Sequence, residues 1–133
     1  MSIAKWLNEG ENRVLNILLG AQPVDGTLWL GLYKNTEEPA ETVTLADMNE
    51  PAGFGYARKA LTRGYWTIID DYALYLEQTF LAQGGAWGNI YGYFICTVQS
   101  GTSGKLLALE HLDSPLNIED GKGIKVVPKI TCA

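Results

Sequence analysis

Residues 27–33 read Thr27-Leu28-Trp29-Leu30-Gly31-Leu32-Tyr33. Side chains alternate across a strand, so Leu28, Leu30 and Leu32 share one face while Trp29 and Tyr33 share the other. Both faces are apolar. Such a strand is expected at the centre of a sheet or beneath a covering helix.

Working outward toward the C-terminus, short strand-like runs alternate with turn residues. The runs are Tyr56 to Leu61, Tyr65 to Ile69, Tyr72 to Phe80 (long enough to bend or split near Glu77), Ile90 to Val98 and Lys105 to Leu112. Pro115 to Ile118 adds a short one. In the final run Ile124, Val126, Pro128 and Ile130 alternate with Lys125, Val127 and Lys129, giving one buried and one wet face. Pro128 has no N–H for a ladder, which puts this run at a sheet edge or on a bulge. Residues 34–53 form a long polar connection broken by Pro39 and Pro51, with a helical turn expected within Thr44 to Asn49.

Toward the N-terminus, Ile3, Leu7, Gly10, Val14, Ile17 and Leu18 recur at helical spacing, and Trp6 and Leu15 widen the stripe. Ser2 is the expected N-cap and Gly20 the expected stop. One helix followed by about eight short strands predicts a mainly β chain: an antiparallel β-sandwich or jelly roll with one N-terminal amphipathic helix. The expected organisation is a single domain over residues 1–133, with the helix at 2–19 and the sandwich at 27–131.

Composition narrows the function. Ten Lys plus Arg stand against 15 Asp plus Glu, a net charge of −5. Nucleic-acid binding depends on neutralising phosphates, so an acidic chain without a basic run argues against that class. No apolar run approaches the length of a membrane span, and the first residues lack the layout of a signal peptide. Cys96 sits in the apolar run Tyr93-Phe94-Ile95-Cys96 and reads as a buried, inert thiol, whereas Cys132 lies next to the C-terminus. The expected compartment is cytosol-like.

No enzyme template is completed. His111 is the only histidine, it falls within a strand, and no nucleophile-elbow motif accompanies it. One His and two distant Cys cannot build a zinc site. Asp70-Asp71 reads as a turn between strands, and Glu119-Asp120-Gly121 lacks the spaced ligands of a calcium loop. Gly101 to Lys105 imitates a phosphate loop, but Gln99 and Leu106 stand where Gly and Ser or Thr are required. Gly53 to Arg58 begins like a dinucleotide fingerprint and ends in Arg. No enzymatic activity, cofactor or metal is expected. Trp87, Tyr91 and Tyr93 are close in sequence and would make a stacking or protein-binding patch if exposed, although core filling is the commoner role of such aromatics.

Several segments in order resemble a group of small tailed-bacteriophage virion proteins, variously labelled tail fibre or structural protein. They are the strand Leu28 to Tyr33 and the Glu-Pro-x-Gly-x-Gly-Tyr-x-Arg segment Glu50 to Arg58. The Gly-x-Trp-Gly-x-x-x-Gly segment Gly85 to Gly92, the Ser-Gly-x-Leu-Leu strand Ser103 to Leu107 and the Gly-x-x-Ile-x-Val strand Gly121 to Val126 complete the set. The chain is also similar in size and expected architecture to jelly-roll cement proteins of phage capsids. The resemblance implies a virion structural protein assembled in the host bacterial cytoplasm. Its first expected role is capsid cement or decoration, and the alternative is a tail fibre, tail-associated or host-binding protein. The implied partners are the major capsid protein, or tail proteins, together with further copies of the chain as a dimer or trimer. Candidate interface or fold-defining residues are Trp6, Arg58, Trp87, Tyr91 and Tyr93. Arg58 is expected to pair with a carboxylate, and Trp87 to anchor the core.

Overall fold

The computed structural model describes residues 4–131. Among these residues, ten strands are distributed over three antiparallel sheets. A five-stranded sheet contains β1 (Lys5–Trp6), β2 (Thr27–Tyr33), β3 (Lys59–Thr62), β7 (Gly88–Cys96) and β8 (Leu106–Ile118), in the spatial order β1-β8-β7-β2-β3. A three-stranded sheet has the order β10 (Lys129–Thr131), β5 (Tyr72–Leu74), β4 (Thr67–Ile69), and β6 (Gln78–Leu81) pairs with β9 (Gly123–Val126). One helix, α1 (Asn8–Leu19), joins β1 to β2. The mainly β, antiparallel class with a helix near the N-terminus is as the sequence predicted.

The two apolar faces of Thr27–Tyr33 are both used. Leu30 and Leu32 enter one buried cluster with Leu61, Ile95, Tyr75, Phe80, Ile124, Val126 and Ile130, so the smaller sheets pack on this face of the five-stranded sheet. Tyr33 enters a second cluster with Leu7, Val43, Leu45, Phe94, Cys96, Leu106 and Leu109. The cover for that second face comes from the long 34–53 connection. Lys34 N–H donates to Asn49 O, Asn35 bridges Asp47 and Asn49, and Thr44 with Asp47 forms a reciprocal cap on the 3-10 turn Leu45–Asp47. The loop closes on itself and buries Val43 and Leu45, which explains why so polar a segment is so long.

The helix begins later than the periodicity predicted. Lys5 and Trp6 are strand residues paired with Leu109 and Ala108, and helical geometry starts at Asn8. Tertiary hydrogen bonds override the local period here: Leu7 N–H donates to Leu107 O at 2.9 Å, and the Trp6 indole N–H donates to Thr131 O at 2.7 Å. Ser2 and Ile3 lie outside the described residues, and the N-cap position is taken by Leu7, with no side-chain cap. Gly20 does close the helix, its N–H bonding to Asn16 O. The backbone of α1 lies against β8 at Gly10, where a Cβ would overlap the Leu107 carbonyl.

Other strands shift by a few residues. The Tyr72–Phe80 run splits into β5 and β6 around Leu76 and Glu77, Lys105–Leu112 and Pro115–Ile118 fuse into one long β8, and Pro128 separates β9 from β10. The missing N–H of Pro128 is the reason for that last break. Cys96 is buried and free, and Cys132 falls outside the described residues.

Candidate functional site

The Glu50-Pro51-x-Gly53-x-Gly55-Tyr56-x-Arg58 segment folds into one polar latch. Gly53, Phe54 and Gly55 have φ of 70°, 52° and 83°, a left-handed run that turns the chain back on itself and is costly for side-chain-bearing residues. The reversal brings Glu50 against Arg58. The guanidinium donates to both carboxylate oxygens, Nη2 to Oε1 at 2.6 Å and Nε to Oε2 at 3.1 Å, and its side chain is 4% exposed. Its remaining donors reach Val98 O and Gly101 O, each at 3.0 Å. The Tyr56 hydroxyl donates to Glu50 Oε2 and accepts from Leu32 N–H at 3.0 Å. Three chain segments, 50–58, β2 and the 97–104 turn, are thereby tied at one point. Burial, followed by the Glu50 charge, pushes the Tyr56 phenol well above the usual tyrosine range. Arg58 works against burial, which the Glu50 hydrogen bond and charge more than offset, so its guanidinium is held above its ordinary value.

Trp87 is 3% exposed and donates its indole N–H to the carbonyl of Phe54 in the left-handed turn. Its ring meets Tyr56 edge-on at 5.6 Å between centroids. The Gly85-x-Trp87-Gly88 segment therefore buttresses the latch from behind, with Gly85 facing the Phe54 ring. Tyr91 and Tyr93 do not form an aromatic patch with Trp87. A register shift between Ile90 and Gly92 changes the alternation of β7, so Tyr93 joins Ile90 in the larger cluster while Tyr91 packs on the opposite face. Tyr93 is 3% exposed. Trp6 and Tyr91 are half-buried, and Arg58 is buried with Trp87 and Tyr93. The five candidate residues thus lie on both faces of the sheet, with only Trp87 joining Arg58 around the latch.

His111 is a half-buried strand residue stacked between Tyr33 and Tyr91, at 5.8 and 6.2 Å between ring centroids. Its Nδ1 lies 2.9 Å from the Tyr33 hydroxyl, which also contacts Glu110 O at 3.2 Å. A carbonyl only accepts, so both contacts are satisfied when Tyr33 donates to Glu110 O and His111 Nδ1–H donates to Tyr33. Asp120 caps a turn by accepting from Gly84 N–H, and Asp70 sits in the β4–β5 turn at φ 52°. Among the described residues no cluster of His, Cys, Asp and Glu is arranged to hold a metal, and no helix is long and apolar enough to cross a membrane.

The surface carries features that sequence reading did not single out. Every residue of β4 is exposed, and its outer edge is unpaired among the described residues. Ile68 is 70% exposed and Tyr65, just before the strand, 68%. Trp6, Leu28 and Trp66 line a trough that continues beneath Ile68 and Ala73 on one side and along Val14 and Ile17 of α1 on the other. Leu18 and Leu19 project from the end of the helix. Two adjacent isoleucines beside an Asp-Asp turn look the same in sequence whether the strand is buried or exposed, so no local signal marked them out.

A scaffold of antiparallel sheets whose apolar residues break the surface at an open strand edge has the make-up of an assembly component. The comparison with known families agrees. The chain belongs to the family described as podophage GP4 fiber I protein gp80, which it matches over residues 5–130, and it is a structural protein of a phage particle. No curated protein matches it.

Proposed function

We propose that this chain is a fibre-associated component of a podophage tail, built to hold other chains in place and carrying no catalytic centre of its own. The observation that carries this reading is the family match over residues 5–130, whose description names a fibre protein. The cement role expected first from the sequence drew on the chain's size, architecture and acidic character and on the lack of a long fibre shaft, and the family match favours the tail alternative. The exposed β4 edge with Ile68 and Tyr65 suits a module that buries apolar area against neighbouring subunits, and repeated copies would convert weak contacts into firm attachment. The partners under this reading are other tail proteins and further copies of the chain.

The test is a phage deleted for this gene and complemented in trans. Particles lacking the protein are expected to keep DNA-filled heads of unchanged heat resistance and to lose fibre density or host adsorption. Heads that become heat-labile while fibres and adsorption stay intact would overturn the proposal in favour of cement.

A further inference from the structure

Between β8 and β9 the packing of the smaller sheets leaves a cleft of ≈ 270 Å³. Its walls are apolar, formed by Leu32, Leu112, Ile124 and Val126. Its floor is polar. Glu110 and Tyr93, cross-strand partners on β8 and β7, both line it and are 9% and 3% exposed. The Tyr93 hydroxyl is enclosed, beside the Glu110 carboxylate and the Lys129 backbone but without a hydrogen bond of strict geometry to either. Burial and the adjacent Glu110 carboxylate push that phenol above its ordinary range. No Lys or Arg among the described residues forms an ion pair with Glu110; Lys125, which also borders the cleft, is exposed and unpaired with it.

The Glu110 carboxylate has no cation partner among the described residues, and an apolar-walled opening leads to it. We propose that this cleft receives a lysine side chain presented by a partner chain. An aliphatic stem fits the Leu and Ile walls, in the way lysines bury their methylenes while placing the charge at a polar end. The ammonium would meet the Glu110 carboxylate, while the enclosed Tyr93 hydroxyl gives its own proton to that carboxylate and fixes its position. The inference stands on the cleft alone and goes beyond the fibre assignment: the assignment says what the particle component is, and the cleft says which chemistry it grips.

The probe is n-butylammonium, with n-butanol as its uncharged counterpart, titrated into the 15N-labelled intact chain at constant ionic strength. Saturable shifts at Leu112, Leu116 and Val127 are expected with the amine, at a dissociation constant on the order of millimolar for so small a ligand. Butanol should give no saturable shift. Glu110→Gln, close to isosteric, should weaken amine binding by about tenfold or more, and Tyr93→Phe should weaken it while leaving the spectrum folded. Absence of saturation with the amine, or an equal response to butanol in the unaltered protein, overturns the proposal without any variant. An equal response in a folded Glu110→Gln protein overturns it as well. The readout uses the isolated chain, so failure here leaves the fibre reading standing, and failure of that reading leaves the cleft's selectivity to be judged on these titrations.

Discussion

Arg58→Ala removes the centre of the latch. The guanidinium makes two hydrogen bonds to Glu50 and one each to Val98 O and Gly101 O, all from a side chain 4% exposed. Hydrogen bonds to charged groups contribute about 1.5–3 kcal/mol each, but water and loop relaxation recover much of that sum when the side chain is deleted. Losing one member of a buried ion pair costs about 3–5 kcal/mol, and that is the expected loss here. At roughly 4 °C per kcal/mol for a chain of this size, the melting midpoint falls by roughly 12–20 °C. Urea unfolding followed by tryptophan fluorescence reads it directly, since Trp87 packs beside the latch. Arg58→Lys keeps the charge but loses the two-pronged geometry and should fall between the two. A double-mutant cycle with Glu50→Ala should return a coupling of about 2 kcal/mol, because the pair removed together leaves no lone buried charge. A loss below about 1 kcal/mol for Arg58→Ala would refute the claim that the latch holds the three segments together.

Gly10→Ala reverses a usual sign. In an open helix the change stabilises by about 1 kcal/mol, yet here the new methyl meets the Leu107 carbonyl, so destabilisation of about 1–3 kcal/mol is expected by chemical denaturation. Ile68→Asp should leave the unfolding midpoint of the isolated chain within about 0.5 kcal/mol, as its side chain is in solvent, while reducing incorporation into particles. Tyr33, Tyr56 and Tyr93 are all held above the ordinary tyrosine range, first by burial. A raised folded value means the native state holds its protons longer than the unfolded chain, so stability is full below pH about 10 and falls as pH rises beyond it. Absorbance titration should show the three ionising only with unfolding. With Cys132 replaced by Ser, Cys96 should resist thiol reagents until the protein unfolds, since burial raises its thiol pKa and encloses the sulfur.

The strands were legible because period-two patterning survives in isolated segments: Leu28, Leu30 and Leu32 sit on one face as read, and Pro128 breaks the last run. What failed was decided by contacts distant in sequence. Trp6 has helical spacing with Ile3 and Gly10, yet pairing with β8 and a hydrogen bond to Thr131 make its segment a strand. Tyr93 follows Tyr91 by two and would share its face, except that a bulge intervenes. Arg58 could be expected to meet a carboxylate, but naming Glu50 requires the left-handed turn at 53–55. The cleft at Glu110 was invisible for the same reason, since Glu110 and Tyr93 become neighbours only through the β7–β8 register.

The most direct test of the central claim is a cryo-electron microscopy map of the intact virion into which this chain is fitted. Density for it among the fibres of the tail, touching neighbouring chains through the β4 face, is the predicted result. Density at regular positions on the capsid lattice, with none at the tail, would contradict it.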